Sequence, residues 1–229
     1  MEDEIGVEES AHRLGVSPAR VRMLIADGRI SARQIGGRWL IDAVSLRERE
    51  RVGSAPGRPL APRNAWYVIL EASGEEAPYA LSPSVAWRLR RGLHQYGLRA
   101  QLPRLRSRAR PHGWWGLKSE LRALRHDPGL VLTGVNAARE HGLPLLAPDL
   151  VDGYVRAGDV ARLRDEHELR EVPAREANVV LRAVPDDAWC LDDRAVAPRA
   201  AVALDLAVSP DPRWSRAGMS ALADLEASW

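Results

Sequence analysis

The sequence predicts an α+β protein in two parts. Residues 1–51 form a small unit of helix, tight turn, helix and hairpin, and residues 64–229 form a mixed α/β domain. Three observations carry this. Hydrophobic spacing changes from helical to two short β-prone pieces after Gly28. Residues 52–63, which begin VGSAPGRPLAP, are Gly, Ser, Ala and Pro with hardly a hydrophobic anchor, so the boundary belongs there. Beyond it, short strands and helices mix without the regular alternation of a doubly wound sheet. With 229 residues and 45% hydrophobic content the chain can bury a core.

In the first unit Ala11 and Leu14 share a helical spacing, and Gly15-Val16 then Ser17-Pro18 predict a tight turn and a second helix start. Ser17 suits the N-cap, and Pro18 the first helical position, where a missing N–H loses no partner. The second helix runs to Asp27 and stops at Gly28, a suitable left-handed cap. Val21, Leu24 and Ile25 share one face, while Ala19, Arg20, Arg22, Met23 and Ala26 take the other. An outward face of two arginines and small residues is one that a DNA major groove can admit. Ile30, Ile35, Trp39 and Ile41 then spread over two β-prone pieces joined by Gly36-Gly37-Arg38, a hairpin signal that makes a wing. Asp42 caps a last helix, Ala43 to Arg51, whose alternating Arg and Glu are solvated.

In that order VEESAHRLGVSPARVRMLIADGRISARQIGGRWLIDAVSLRER resembles the winged helix-turn-helix of the excisionase and MerR-like DNA-binding families. The matching pieces are the Gly15-Val16-Ser17 turn, the Val21-Arg22 pair, the Asp27-Gly28-Arg29-Ile30 exit, the Gly37-Arg38-Trp39 wing and the Ile41-Asp42 lead into the closing helix. Gly6 stands where such domains usually carry a Ser or Thr cap, and Gly is an acceptable cap. The resemblance implies a DNA-facing set of Ser17, Ala19, Arg20, Arg22 and Met23, with Ala19, Arg20 and Arg22 toward base edges. It implies that Arg33 and Arg38 reach phosphates or a minor groove from the wing.

Charge separates the rest of the chain. Of 33 basic residues only Lys118 is a lysine; residues 82–125 hold 11 bases and 1 acid, and 126–229 hold 11 arginines and 18 acids. One basic segment and an acidic C-terminal half hide under a net charge of +2. Asn64 is expected to cap a buried helix through Ala72, with a strand as the lesser option, and Ser82-Pro83-Ser84 to start a helix Val85 to Tyr96 carrying Arg88, Arg90 and Arg91. The even spacing of Arg104, Arg106, Arg108 and Arg110 would place them on one face of a strand. With Arg88 and Arg91 they make a candidate second set of phosphate contacts; the competing reading pairs these arginines with the acidic half. Trp114 and Trp115 are expected to pack, with base stacking as the lesser option.

Further on, the sequence predicts a strand turning at Thr133-Gly134 into a helix that ends at Gly142. Strand-like 152–156, a helix near 159–166, strand-like 169–172 and a strand 178–184 follow. Two helices close the chain, 198–208 and 214–227, the second with Met219, Leu222 and Leu225 facing in. The stretches LVLTGVNAAREHGL, YVRAGDVARLRDEHELREVP, NVVLRAVPDDAW and VAPRAAVALDLAVSPDPRWSRAG resemble the C-terminal domain of AbiEi-type antitoxins of type IV toxin-antitoxin systems. The resemblance implies a DNA-binding antitoxin that represses its own operon and opposes a nucleotidyltransferase-like toxin without requiring a stable complex. The alternative is a stand-alone transcriptional regulator or excisionase-type recombination accessory protein whose C-terminal domain senses a ligand or dimerises.

No phosphate-loop, nucleophile-elbow, zincin or C-x-x-C pattern occurs, and no enzyme is expected. Asp186-Asp187 and Asp192-Asp193 are the only paired carboxylates suited to Mg²⁺, and Pro185-Asp186-Asp187 is equally an ordinary turn; no metal or other cofactor is expected. His12, His94, His126, His141 and His167 fall in or beside helices as solvated surface. One cysteine, Cys190, excludes an internal disulfide, and the acidic Met1-Glu2-Asp3-Glu4 start is unlike a signal peptide. The expectation is a cytoplasmic protein on double-stranded DNA, with no membrane contact and a homodimer as an option.

Overall fold

In a computed structural model the described residues are 5–27, 30–52, 58–172 and 176–229. Gly6 caps α1 (Val7–Leu14), Gly15 ends it in the left-handed region, and Ser17 caps α2 (Pro18–Ala26). Gly28, expected as the cap of the second helix, lies outside the described residues. Strands β1 (Ala32–Ile35) and β2 (Arg38–Ile41) pair antiparallel, with Ile5 bridging Ile41 from the other side. Gly36 and Gly37 have φ of 55° and 79°, the two consecutive positive values that a two-residue turn matched to strand twist requires. Helix α3 (Ala43–Val52) starts where Asp42 Oδ1 accepts from the Ser45 N–H at 2.8 Å. Val21, Leu24, Ile30, Ile41 and Leu46 form the core of this unit. Ile35 departs from the expected pattern: it stands at the hairpin tip, 51% exposed, beyond the reach of that core.

The second domain begins with α4 (Pro62–Ala72), three residues before the expected start. Pro62 supplies the first helical position, so Ala61 and not Asn64 is the N-cap. Helix α5 (Pro83–Leu105) is nine residues longer than expected at its C-terminal end and bends at Gly97, where φ is 72° and ψ 175°. It leads through a single 3₁₀ turn, Arg106–Arg108, into β3 (Arg110–Trp114). The strand expected over 104–110 therefore does not form: only Arg110 is in a strand, because helix and turn run through the positions before it. The order continues α6 (Lys118–Leu124), β4 (Val131–Leu132), α7 (Gly134–Ala137), β5 (Val151–Arg156), α8 (Val160–Glu166), β6 (Val179–Val184), α9 (Arg199–Ala207) and α10 (Pro212–Ala227). The strand-like 169–172 reduces to one bridge between Arg170 and Trp115.

The four strands lie in the order β3-β6-β5-β4, with β5 and β6 parallel in the centre and both edges antiparallel. Alternation along the strands splits the core. Val151, Val155, Val179 and Leu181 pack with Leu121, Leu124 and Leu163 on the face covered by α6 and α8, and Trp114 is buried there, which removes it from any base-stacking role. Tyr154 and Val184 point to the other face, against α4 and α9, where Trp66 meets Tyr154 edge-on at 4.9 Å. In α10 Leu222 and Leu225 face this core as expected, but Met219 is 39% exposed.

The two units touch along β3. Ser31 Oγ donates to the Pro111 carbonyl at 3.1 Å, and Arg33 pairs with Glu171. Gly113 lies under α3, where a Cβ would stand 3.1 Å from Val44 Cγ2.

Candidate nucleic-acid interface

Helix α2 and its cap carry the expected set Ser17, Ala19, Arg20, Arg22 and Met23. Ser17 Oγ accepts from the Arg20 N–H at 3.2 Å and fixes the first turn. Val21, Leu24 and Ile25 are buried, which turns Ala19, Arg22, Met23 and Ala26 outward, with Arg20 half-buried. Arg22 keeps a loose, exposed contact with Glu8 of α1 at 3.9 Å. Arg38 is exposed beside the hairpin turn. Arg33, also exposed, is tied to Glu171 of the second domain, so DNA would have to compete with a carboxylate for it.

The second set scatters. Arg88 and Arg91 are exposed on α5, with the Arg91 guanidinium 5.1 Å from the centre of the Trp87 ring. Arg104 is half-buried at the end of α5. Arg106 buries Nε and Nη1 with no hydrogen-bond partner among the described residues. Arg108 is 5% exposed and its charge faces Asp205, so the phosphate contact expected there is corrected: no duplex reaches it in the folded chain. Arg110 alone begins the strand, exposed. Pairing with acids further along the chain occurs at Arg99 with Glu226, at Arg108 with Asp205 and at Lys118 with Asp149.

Arg108 belongs to a buried polar cluster that sequence reasoning missed. Arg182 grips Asp152 through two bonds of 2.6 and 2.8 Å and stands 3.3 Å from Asp205. Arg108 donates to the Tyr154 hydroxyl at 2.9 Å and pairs with Asp205, while the Thr133 hydroxyl donates to Asp205 at 2.7 Å. Asp152, Tyr154 and Arg182 share a sheet face by strand alternation, and α9 brings Asp205 over it. Burial works to raise the Asp205 carboxyl, but Arg182 and Arg108 and the Thr133 hydroxyl hold it below the usual carboxylate range. The available signal was Asp205 in the apolar run AAVALDLAV, a charge that a buried helix keeps only when paired.

Beside this cluster His112 is pushed down to about 4 by burial and then by Arg110. Burial pushes the Cys190 thiol up to about 12. His167 is buried, not solvated, with Nε2 3.1 Å from Asp127, and His141 Nε2 lies 2.9 Å from the Ala197 carbonyl. Asp186 and Asp187 form a 3₁₀ turn after β6, and Asp192 accepts from Arg156 and from the Trp189 indole. Among the described residues no three His, Cys, Asp or Glu side chains converge, and no helix is long and apolar enough to cross a membrane.

No curated protein and no solved structure matches the chain. One protein family does, described as a helix-turn-helix domain, over residues 5–49, about a fifth of the chain. The matched segment spans α1, α2, the hairpin and most of α3. The N-terminal unit is thus a helix-turn-helix domain, which points to DNA binding and regulation.

Proposed function

We propose that the chain is a sequence-reading DNA-binding regulator in which α2 enters the major groove and the hairpin flanks it. The observation that carries this is the solvent-facing side of α2, with Arg22 outward on a capped helix inside the segment that matches a helix-turn-helix domain. Arg22 can bond guanine O6 and N7 together, whereas an arginine on phosphate positions without reading.

Binding of the full chain to its own upstream DNA, with random DNA as competitor across a salt series, tests the reading. Specific binding that survives competition is expected, and Arg22→Ala should cost about 1–3 kcal/mol of it and relax selectivity at one base pair. Equal binding of both DNAs at low salt alone rejects sequence reading and favours a protein-contact role.

More specifically, we infer an antitoxin that represses its own operon and opposes a nucleotidyltransferase-like toxin, with the four C-terminal stretches quoted above in support. Co-expression with a neighbouring gene of that class should then relieve growth arrest. No such neighbour, or no relief, removes the antitoxin reading. A stand-alone regulator with a ligand-sensing second domain is favoured by one feature, a cavity of about 580 Å³ between the two units.

A further inference from the structure

That cavity lies where the winged unit meets the second domain. Ser45 and Arg49 of α3 line one side, Arg106 to His112 another, and Arg182 and Ala183 of β6 the floor; Asp27, the C-cap of α2, stands at its edge. At about 580 Å³ it has the size of a small-molecule site. Its charge is lopsided. Arg108 and Arg182 are matched by Asp205 and Asp152, which leaves Arg106 and Arg110 facing the single carboxylate of the lining, Asp27. The decisive feature is Arg106: Nε and Nη1 are shielded from solvent and have no acceptor among the described residues. Two buried, charged donors without acceptors are costly, and turning the Arg106 side chain onto an anionic oxygen in the cavity would relieve that cost.

We propose that this cavity binds a small anion, a phosphate or a carboxylate carried on a metabolite, and that its occupancy alters the DNA affinity of the winged unit. The anion is held by Arg106 from the second domain and faces Ser45 and Arg49 of α3. It therefore bridges the two units at their junction, within reach of the end of α2. A ligand that binds one arrangement of the units better than another shifts the population toward that arrangement. The regulatory half rests on the DNA-binding reading; the binding site does not.

The test is calorimetric titration of the full chain with inorganic phosphate, AMP and citrate, which separates a bare ion, a phosphorylated metabolite and a carboxylate source. At least one of the three should bind, and Arg106→Gln should weaken it about tenfold or more, the loss expected for a charged hydrogen bond. Arg110→Gln serves as the second variant, read the same way if Arg106→Gln lowers the melting temperature. At constant ionic strength the bound anion should change affinity for the upstream DNA by about fivefold or more. Binding of none of the three, or binding indifferent to both variants, overturns the site. An anion that binds through Arg106 while DNA affinity stays fixed overturns the regulation alone. Loss of DNA affinity in Arg106→Gln without any anion would assign the arginine to a phosphate of DNA and overturn the proposal. Anion binding in a chain with no specific DNA binding supports the site and rejects the DNA reading.

Discussion

Asp205 sits in a helix that is buried from Ala200 to Ala207, between Leu204 and Leu206, and is tolerated there because two arginines and a hydroxyl meet it. Removing one partner of such a group leaves charge buried without compensation. Asp205→Ala should therefore lower the unfolding free energy by about 3–5 kcal/mol, read from urea denaturation. Because its carboxyl titrates lower in the folded chain than in the unfolded one, its contribution is complete above the unfolded value and fades as pH falls through the folded value. His112 acts in a higher window. Its folded value of about 4 lies below its ordinary 6.5, so the unfolded chain takes up the proton first. Stability should be flat above about 6.5 and fall by roughly 3 kcal/mol on the way to about 4. Arg110 on the same strand adds to the shift, and the half-buried Asp42 and the Arg33–Glu171 pair line the neighbouring recess. His112→Asn should flatten the stability profile between those two pH values; an unchanged profile would assign the dependence to carboxylates.

At the scale of elements, the pairing of α9 with α10 depends on a missing side chain. A Cβ at Gly218 would lie 2.2 Å from the Ala207 nitrogen and 2.6 Å from the Leu206 carbonyl carbon. Those are backbone atoms inside a helix, and they cannot turn aside as a side chain does. Gly218→Ala should push α10 off α9 at a cost of about 1–3 kcal/mol, visible as a lower melting temperature. The winged unit has its own core, so upstream DNA binding well below that temperature should persist. A melting temperature equal to that of the native chain would mean that the two helices adjust without cost. Element by element, the winged unit was the most legible part of the chain. Ser17, Pro18 and the Gly36-Gly37 turn each specify a local geometry through their own chemistry. The segment 104–110 was not legible, because a period-two run of arginines carries no apolar pattern to tell a strand from a helix end.

On the scale of the molecule, the winged unit is fastened to the sheet edge by Ser31 on Pro111 and by Arg33 on Glu171. The ion pair is half exposed on both sides, so it contributes little to stability, on the order of 0–1 kcal/mol. In the proposed function its weight is in the charge it withholds from DNA. Glu171→Gln should leave the melting temperature nearly unchanged and steepen the salt dependence of DNA binding by about one phosphate contact. An unaltered slope would mean that Arg33 stays away from phosphate even when released. The basic segment is likewise divided by the fold: α5 and α6 carry most of it in solvent, while Arg106 and Arg108 turn inward to the cavity and the polar cluster.

What the sequence determined by itself is the local order: a capped helix-turn-helix with its wing, and in the second domain β5, β6, α8, α9 and α10 near their observed places, but not β3 or α6. Periodicity, caps and turns act over a few residues, and those signals survive in one dimension. Only the tertiary structure decided which charges face solvent and which face one another. Arg108 and Arg110 are two residues apart, yet one is buried against Asp205 and the other exposed. That difference comes from α9 crossing the sheet, a contact between residues 97 positions apart. The cavity is of the same kind, since its walls come from α3, β3 and β6 and exist only once the two units meet.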